Sequence, residues 1–319
     1  MQANPFLKWA GGKRQLLSHL LPLVPARYSR YLEPFIGGGA LYFATQPRVA
    51  FIADANRELV TTYEVVRDKP EALVARLTEH RTCHNQDYYY QLRAEQPTSP
   101  LEVAARFIYL NKTCFNGLYR VNRSGQYNVP IGSYKNPQIF DRSNLLACAS
   151  ALKSAIIRHA DYRETLQEAK SGDFVYLDPP YAPLSPTSSF TSYTKDEFGE
   201  RQQRELAQCY RELDRRGCYV MLSNSSAQLI LDIYQGFDVR LVAATRMINS
   251  KADGRGMVNE VVILNYQPPA SGFVKVDERT KQPVNPVSVG LLPANEDAIG
   301  SHQTEQQPST STYPFLRIR

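Results

Sequence analysis

The sequence predicts an α/β fold: a parallel sheet interrupted by a helical insertion. Three observations predict it. A strand, a glycine turn, a helix and a second strand follow one another over residues 31–54. Helical patterns then fill 57–144 without a clear strand. From about residue 145 the alternation of helix and strand resumes.

Taken in order, Arg14–Leu23 reads as a short amphipathic helix closed by Pro22 and Pro25, which offer no N–H to continue it. Tyr31-Leu32-Glu33-Pro34-Phe35 is a strand running into Gly37-Gly38-Gly39, and Ala40–Thr45 opens a helix. Val49–Asp54 is a second strand ending in an acid. The insertion carries helical patterns at 58–66, 71–80, 86–94 and 101–110. Asn122-Arg123-Ser124-Gly125, set between Leu118-Tyr119 and Gln126–Val129, predicts a β-hairpin. Beyond it come a helix at 141–154, a strand at 155–159, a helix at 161–170 and a strand at 174–178. A helix at 196–216 and strands at 218–223, 238–242 and 258–265 complete the alternation. The expected division is one discontinuous domain at 1–56 and 145–266, a second domain at 57–144, and a disordered tail at 267–319. Pro, Ser, Thr, Gln and Asn dominate that tail.

The formal net charge of +6 and a pI near 9.0 leave a polyanionic partner open without establishing one. Twenty tyrosines and 13 phenylalanines supply core, and the same residue types make stacking surfaces for bases. Five scattered cysteines without a CxxC argue against a zinc site or a disulfide framework and suit a reducing cytosol. The start, MQANPFLKWAGG, has no apolar signal core, and no stretch approaches the roughly 20 apolar residues of a membrane span. A soluble intracellular protein is expected.

Three stretches carry chemistry. In YLEPFIGGGALYF (31–43), glycines at a strand-to-helix turn let a ligand approach the backbone and aim helix N–H groups at it. Asp54, ending the next strand, suits ribose hydroxyls, as in enzymes that bind NAD or S-adenosylmethionine. The spacing is not GxGxxG, and a bare turn needing positive φ is the plain alternative. The second stretch is Asp178-Pro179-Pro180-Tyr181. The amine of an aromatic base is a poor nucleophile because its lone pair is delocalised into the ring. A carboxylate and a proline carbonyl accepting both amine hydrogens draw that lone pair out of the plane, and the tyrosine offers a stacking face. The plain alternative is a strand-ending turn with an aromatic plug. The third is FLKWAGGK (6–13), in which two lysines, the lone tryptophan and a diglycine suggest a ligand loop rather than an exposed terminal turn.

Together KWAGGK, EPFIGGGALYF, ADAN at 53–56, FNGLYRVNRSGQYNVPIGSYKNP at 115–137 and DPPYAPLSPTSSFTSY resemble, in that order, the Dam-type DNA adenine-N6 methyltransferases, the D12 class of group alpha. The resemblance covers about residues 1–266. It implies a Rossmann-like, S-adenosylmethionine-dependent methyltransferase sheet with an inserted helical target-recognition domain carrying a β-hairpin. It further implies methyl transfer to the N6 amine of a flipped adenine in double-stranded DNA, with GATC the expected site and no metal. The matching cofactor positions are Trp9, Lys13, Phe35, Gly37, Gly39, Asp54 and Asp178. The catalytic motif is Asp178, Pro179, Pro180 and Tyr181. The DNA-contacting positions are Lys8, Phe115, Asn116, Leu118, Arg120, Pro130 and Tyr134. Arg120 matches an arginine that reads guanine, Asn116 faces the orphaned partner base, and Phe115 stands where relatives carry a wedging aromatic. A lone arginine in a basic loop also serves as a phosphate clamp. Ser188–Tyr193 resembles a segment closing over the target base, and 246–255 suits a phosphate-contacting loop. Ser223-Asn224 either lines the pocket or ends a strand. A cytoplasmic, nucleoid-associated monomer is expected, either solitary or paired with a restriction nuclease. The rivals are a methyltransferase acting on RNA or a protein amide, a non-catalytic DNA binder, and a nicotinamide oxidoreductase. The last fails on the missing GxGxxG.

Overall fold

A computed structural model of the protein describes residues 2–9, 11–184, 198–245 and 257–269, with two short stretches at 276–277 and 282–283. Ser188–Tyr193, the loop at 246–255 and nearly all of the tail therefore lie outside the described residues.

The N-terminal helical stretch is broken into three tight pieces: a 3-10 turn at Lys13–Gln15, α1 at Leu17–Leu20 and a second 3-10 turn at Leu21–Leu23. Pro22 sits inside the last turn, where its missing N–H rules out a continuous α-helix. β1 (Tyr31–Glu33), α2 (Ala40–Thr45) and β2 (Ala50–Asp54) follow as expected, and then α3 (Arg57–Asp68). The insertion contributes α4 (Pro70–Thr82), α5 (Gln86–Ala94) and α6 (Pro100–Thr113). Both proline-led helices place the ring at their first position, where no N–H is needed. Asn56 and Asn85 cap α3 and α5 by accepting from Leu59 N and Tyr88 N.

The hairpin forms, but without regular strands. Val121 pairs antiparallel with Tyr127, and Asn128 N donates to Arg120 O at 3.0 Å. At its tip the Asn122 side chain accepts from Ser124 N and Gln126 N, so side-chain bonds replace part of the ladder.

The return to the sheet runs α7 (Arg142–Leu152), β3 (Ala155–His159), α8 (Tyr162–Gln167), β4 (Phe174–Leu177), α9 (Glu200–Arg215) and β5 (Tyr219–Ser225). α10 (Gln228–Ile233), a six-residue helix that the sequence reading did not anticipate, precedes β6 (Asp238–Thr245) and β7 (Met257–Leu264). The seven strands lie in the order β3-β2-β1-β4-β5-β7-β6. The first five are parallel, and β7 runs antiparallel between β5 and β6. This is a mostly parallel, Rossmann-like α/β sheet.

Side-chain alternation sorts the strands onto two cores. Tyr31, Phe174 and Tyr176 join the side that carries the N-terminal loop and the helical insertion. Leu32, Val175 and Leu177 join the side covered by α8, α9 and α10. The first core is continuous from Phe174 to Leu77, Tyr89 and Tyr109, so the insertion shares apolar packing with the sheet. Burying one such ring contributes roughly 1.5–3 kcal/mol. Among the described residues no helix is long and apolar enough to cross a membrane.

Candidate active site

The carboxyl ends of β1 and β4 lie side by side where the strand order reverses, the crevice in which open α/β sheets bind ligands. After β1 the chain turns through Gly37 and Gly39, at φ 46° and 67°. A Cβ on Gly37 would fall 2.7 Å from Cδ1 and Nε1 of Trp9, so the indole packs directly on this turn. Asp54, at the end of β2, accepts from Gly37 N at 3.1 Å and from Asn56 N at 3.0 Å. Burial pushes its carboxyl up to about 6, against those two N–H groups, which favour the charged form. Phe35 stacks on Tyr162 at 5.3 Å between centroids and meets Phe198 edge-on.

β4 is buried at all four positions and delivers Asp178 to the crevice. Lys13 Nζ stands 2.7 Å from Asp178 Oδ1; the lysine side chain is 5% exposed and the aspartate 19%, so a ligand can still reach the carboxylate. Burial raises the Asp178 carboxyl to about 6; Lys13 opposes the rise and the Glu260 charge adds to it. The same ammonium lies 4.6 Å from the centroid of Tyr181 and donates to Gly11 O. Tyr181 in turn donates its hydroxyl to Glu260 Oε2 on β7 at 2.7 Å. Beneath these groups Glu33 is buried, accepts from the Tyr31 hydroxyl at 2.7 Å, and is held well above the usual carboxylate range by desolvation.

The residues matched to DNA contacts gather around the start of the hairpin. Asn111 joins two of the segments: its Oδ1 accepts from Lys8 N at 2.8 Å, and its Nδ2 donates to Lys8 O and Gly117 O. Lys8 Nζ donates to the Tyr134 hydroxyl at 3.0 Å and lies 4.1 Å over that ring. Phe115, 48% exposed, is tied by its N–H to Pro130 O at 2.9 Å, and Pro130 is itself exposed. Asn116 adopts a left-handed conformation at φ 55°. Leu118 is half-buried and its carbonyl accepts from the Tyr127 hydroxyl. Arg120 is exposed, with Nε on Asn128 Oδ1 at 2.7 Å. Lys8, Asn116, Leu118 and Tyr134 thus share one locality, with Arg120 further along the hairpin. Tyr119 faces the other way: it stacks on Trp9 at 6.1 Å and donates to Glu58 Oε2.

The sequence profile of the D12 class N6 adenine-specific DNA methyltransferases matches residues 9–248. The chain belongs to this family. As a member of this family, the chain is a methyltransferase acting on the N6 amine of adenine in DNA. It is 44% identical over 271 residues to the type II methyltransferase M1.LlaDCHI of Lactococcus lactis subsp. cremoris, covering 82% of this chain and 95% of that protein. It is 41% identical to the type II methyltransferase M.MjaIII of Methanocaldococcus jannaschii, over 83% of this chain and all of that protein. It is 38% identical to the DNA adenine methylase of Serratia marcescens, over 81% of this chain and 97% of that protein.

The structure brings to this candidate site two residues that the sequence does not single out, Glu260 and Gln203. Glu260 sits amid the apolar run of β7 and reads there as an ordinary alternating polar position. Gln203, buried to 1% exposure in the first turn of α9, reads as one polar residue among many. Asn224, for which the sequence offers either a pocket or a strand-end role, is fully buried and reaches back to the Asp178–Tyr181 corner through Ala182.

Proposed function

We propose that the chain transfers the methyl group of S-adenosylmethionine to an adenine flipped out of double-stranded DNA, within GATC. The observation that carries this reading is the Asp178–Tyr181 corner, open at the switch point of the sheet beside the Asp54–Gly37 turn. The DNA adenine methylase name of the Serratia marcescens relative supports the sequence assignment.

The residues around the glycine turn fit the cofactor. Asp54 keeps carboxylate lone pairs beyond those taken by Gly37 and Asn56, which suits ribose hydroxyls. Gly37, Gly39 and Trp9 form a close-set wall, and Lys13 and Phe35 border it. When bound, S-adenosylmethionine supplies a methyl group already activated by positive sulfur, so displacement requires mainly an aimed nucleophile. Asp178 and the Pro179 carbonyl hold the two N6 hydrogens, and Tyr181 stacks on the base. Among the described residues no donor meets the Pro179 carbonyl, so none of them competes with the amine for it. The amine grows acidic as it attacks, and a carboxylate with a pKa near 6 is positioned to take its proton.

The recognition role falls to 57–144 and the catalytic role to 1–56 and 145–266. Arg120 reads guanine through its fork of donors, facing O6 and N7. Lys8, Leu118, Pro130 and Tyr134 line the same approach, Phe115 wedges into the duplex, and Asn116 faces the orphaned base. The protein acts as a monomer without a metal. A role beside a restriction nuclease is the second reading, favoured by the type II names of the relatives at 44% and 41%.

Expression in cells lacking adenine methylation tests the assignment. Their DNA should become resistant to a nuclease blocked by methylated GATC and sensitive to one that requires it. Unprotected DNA from well-folded protein would sink it.

A further inference from the structure

Two consecutive prolines remove two amide donors from the Asp178–Tyr181 corner, so side chains supply part of what holds it. Three buried side chains do. Gln203 Nε2 donates to Pro180 O at 2.8 Å. Asn224 Oδ1 accepts from Ala182 N at 3.0 Å, and Ser225 Oγ donates to Ala182 O at 2.6 Å. The two amides are joined, Asn224 Nδ2 donating to Gln203 Oε1 at 3.1 Å. Asn224 Oδ1 also accepts from Ser225 N at 2.8 Å, so both side-chain amides use donor and acceptor alike. Gln203, Asn224 and Ser225 are exposed by 1%, 0% and 1%.

The arrangement is selective. It grips the backbone at Pro180 and at both polar atoms of Ala182, and among the described residues it leaves the Pro179 carbonyl free. A buried network in which every side-chain nitrogen and oxygen has a partner favours one geometry, because rotation strands a polar atom away from water. It also joins two elements distant in sequence, the start of α9 and the end of β5, to one peptide corner.

We propose that Gln203, Asn224 and Ser225 are positioning residues that set the direction of the Pro179 carbonyl, and with it the aim of the N6 amine. This rests on the reading of Asp178 and Pro179 as the amine's acceptor pair. The clamp touches neither the base nor the cofactor; it acts through the backbone on either side of Tyr181. Its loss therefore slows methyl transfer while leaving both ligands bound.

The test uses the full chain in Gln203→Met, which keeps the volume and removes the hydrogen bonds, and in Ser225→Ala, which removes one donor from the network. The single-turnover methylation rate is measured at saturating duplex and S-adenosylmethionine, beside the dissociation constants of both and the melting temperature. A misplaced acceptor should slow Gln203→Met by about 10- to 100-fold and Ser225→Ala by several-fold, with both dissociation constants within about twofold of the parent. A rate equal to the parent's in folded variants overturns the proposal, even if the melting temperature falls, because that is the outcome of a purely structural network. A loss carried entirely by weaker binding also overturns it. Should Gln203→Met fail to fold, Ser225→Ala decides alone. An inactive parent protein would be a failure of the methyltransferase reading and not of the clamp.

Discussion

The ammonium of Lys13 lies 2.7 Å from Oδ1 of Asp178, and this contact holds down a carboxyl that burial drives up. Lys13→Met removes the opposition, so Asp178 titrates above about 6. If the ionised form holds the amine, the rate falls as pH drops through that value. The acid limb of kcat/KM for duplex, measured at saturating cofactor, should lie near pH 6 in the parent and move to higher pH in Lys13→Met. A limb that stays in place contradicts the role given to this pair.

Glu260 acts on the same carboxyl with the opposite sign, since its charge raises Asp178. Glu260→Gln removes that charge and keeps an oxygen for the Tyr181 hydroxyl. Its acid limb should shift to lower pH, the reverse of Lys13→Met. Shifts of the same sign in both variants would show that Asp178 is not the group that titrates.

Much of this was legible in the sequence, for a physical reason. β4 is a continuous apolar run because both of its faces are covered, and Asp-Pro-Pro ends it where no ladder partner is possible. Asp54 and the glycine turn stood out because backbone chemistry restricts what can occupy such positions. Gln203 and Glu260 were not legible. Their roles come from partners far along the chain, Pro180 for one and Tyr181 for the other, which no local period encodes. α10 escaped notice because six residues are too few to display a helical period, and the N-terminal helix was overdrawn because Pro22 lies within it.

Arg120 is the residue assigned to guanine, and Asn128 holds its Nε at 2.7 Å across the hairpin. Arg120→Ala should lower discrimination at the guanine position by about 1–3 kcal/mol, and Arg120→Lys should recover little of it because a point charge cannot make the paired contact. Competition between GATC and single-substituted duplexes measures this. Uniform weakening on all sequences would instead identify a phosphate clamp.

The Gly37 turn is closed to any side chain, both by its φ of 46° and by Trp9, which lies 2.7 Å from where a Cβ would stand. Gly37→Ala should cost about 1–3 kcal/mol of stability and weaken cofactor binding together, since Trp9 must move to admit the methyl group. Calorimetry of cofactor binding, paired with thermal melting, checks both. A variant with unchanged cofactor affinity would remove the turn from the cofactor site.

The most direct measurement of the central claim follows a labelled methyl group. Purified protein is incubated with S-adenosylmethionine labelled in the methyl group and a duplex holding one GATC, and the nucleosides are then resolved by mass spectrometry. The parent protein should place the label on adenine N6 within GATC and leave a permuted duplex unlabelled, and Asp178→Ala should place none. Label of equal intensity on the permuted duplex, or undiminished transfer by Asp178→Ala, would contradict the account.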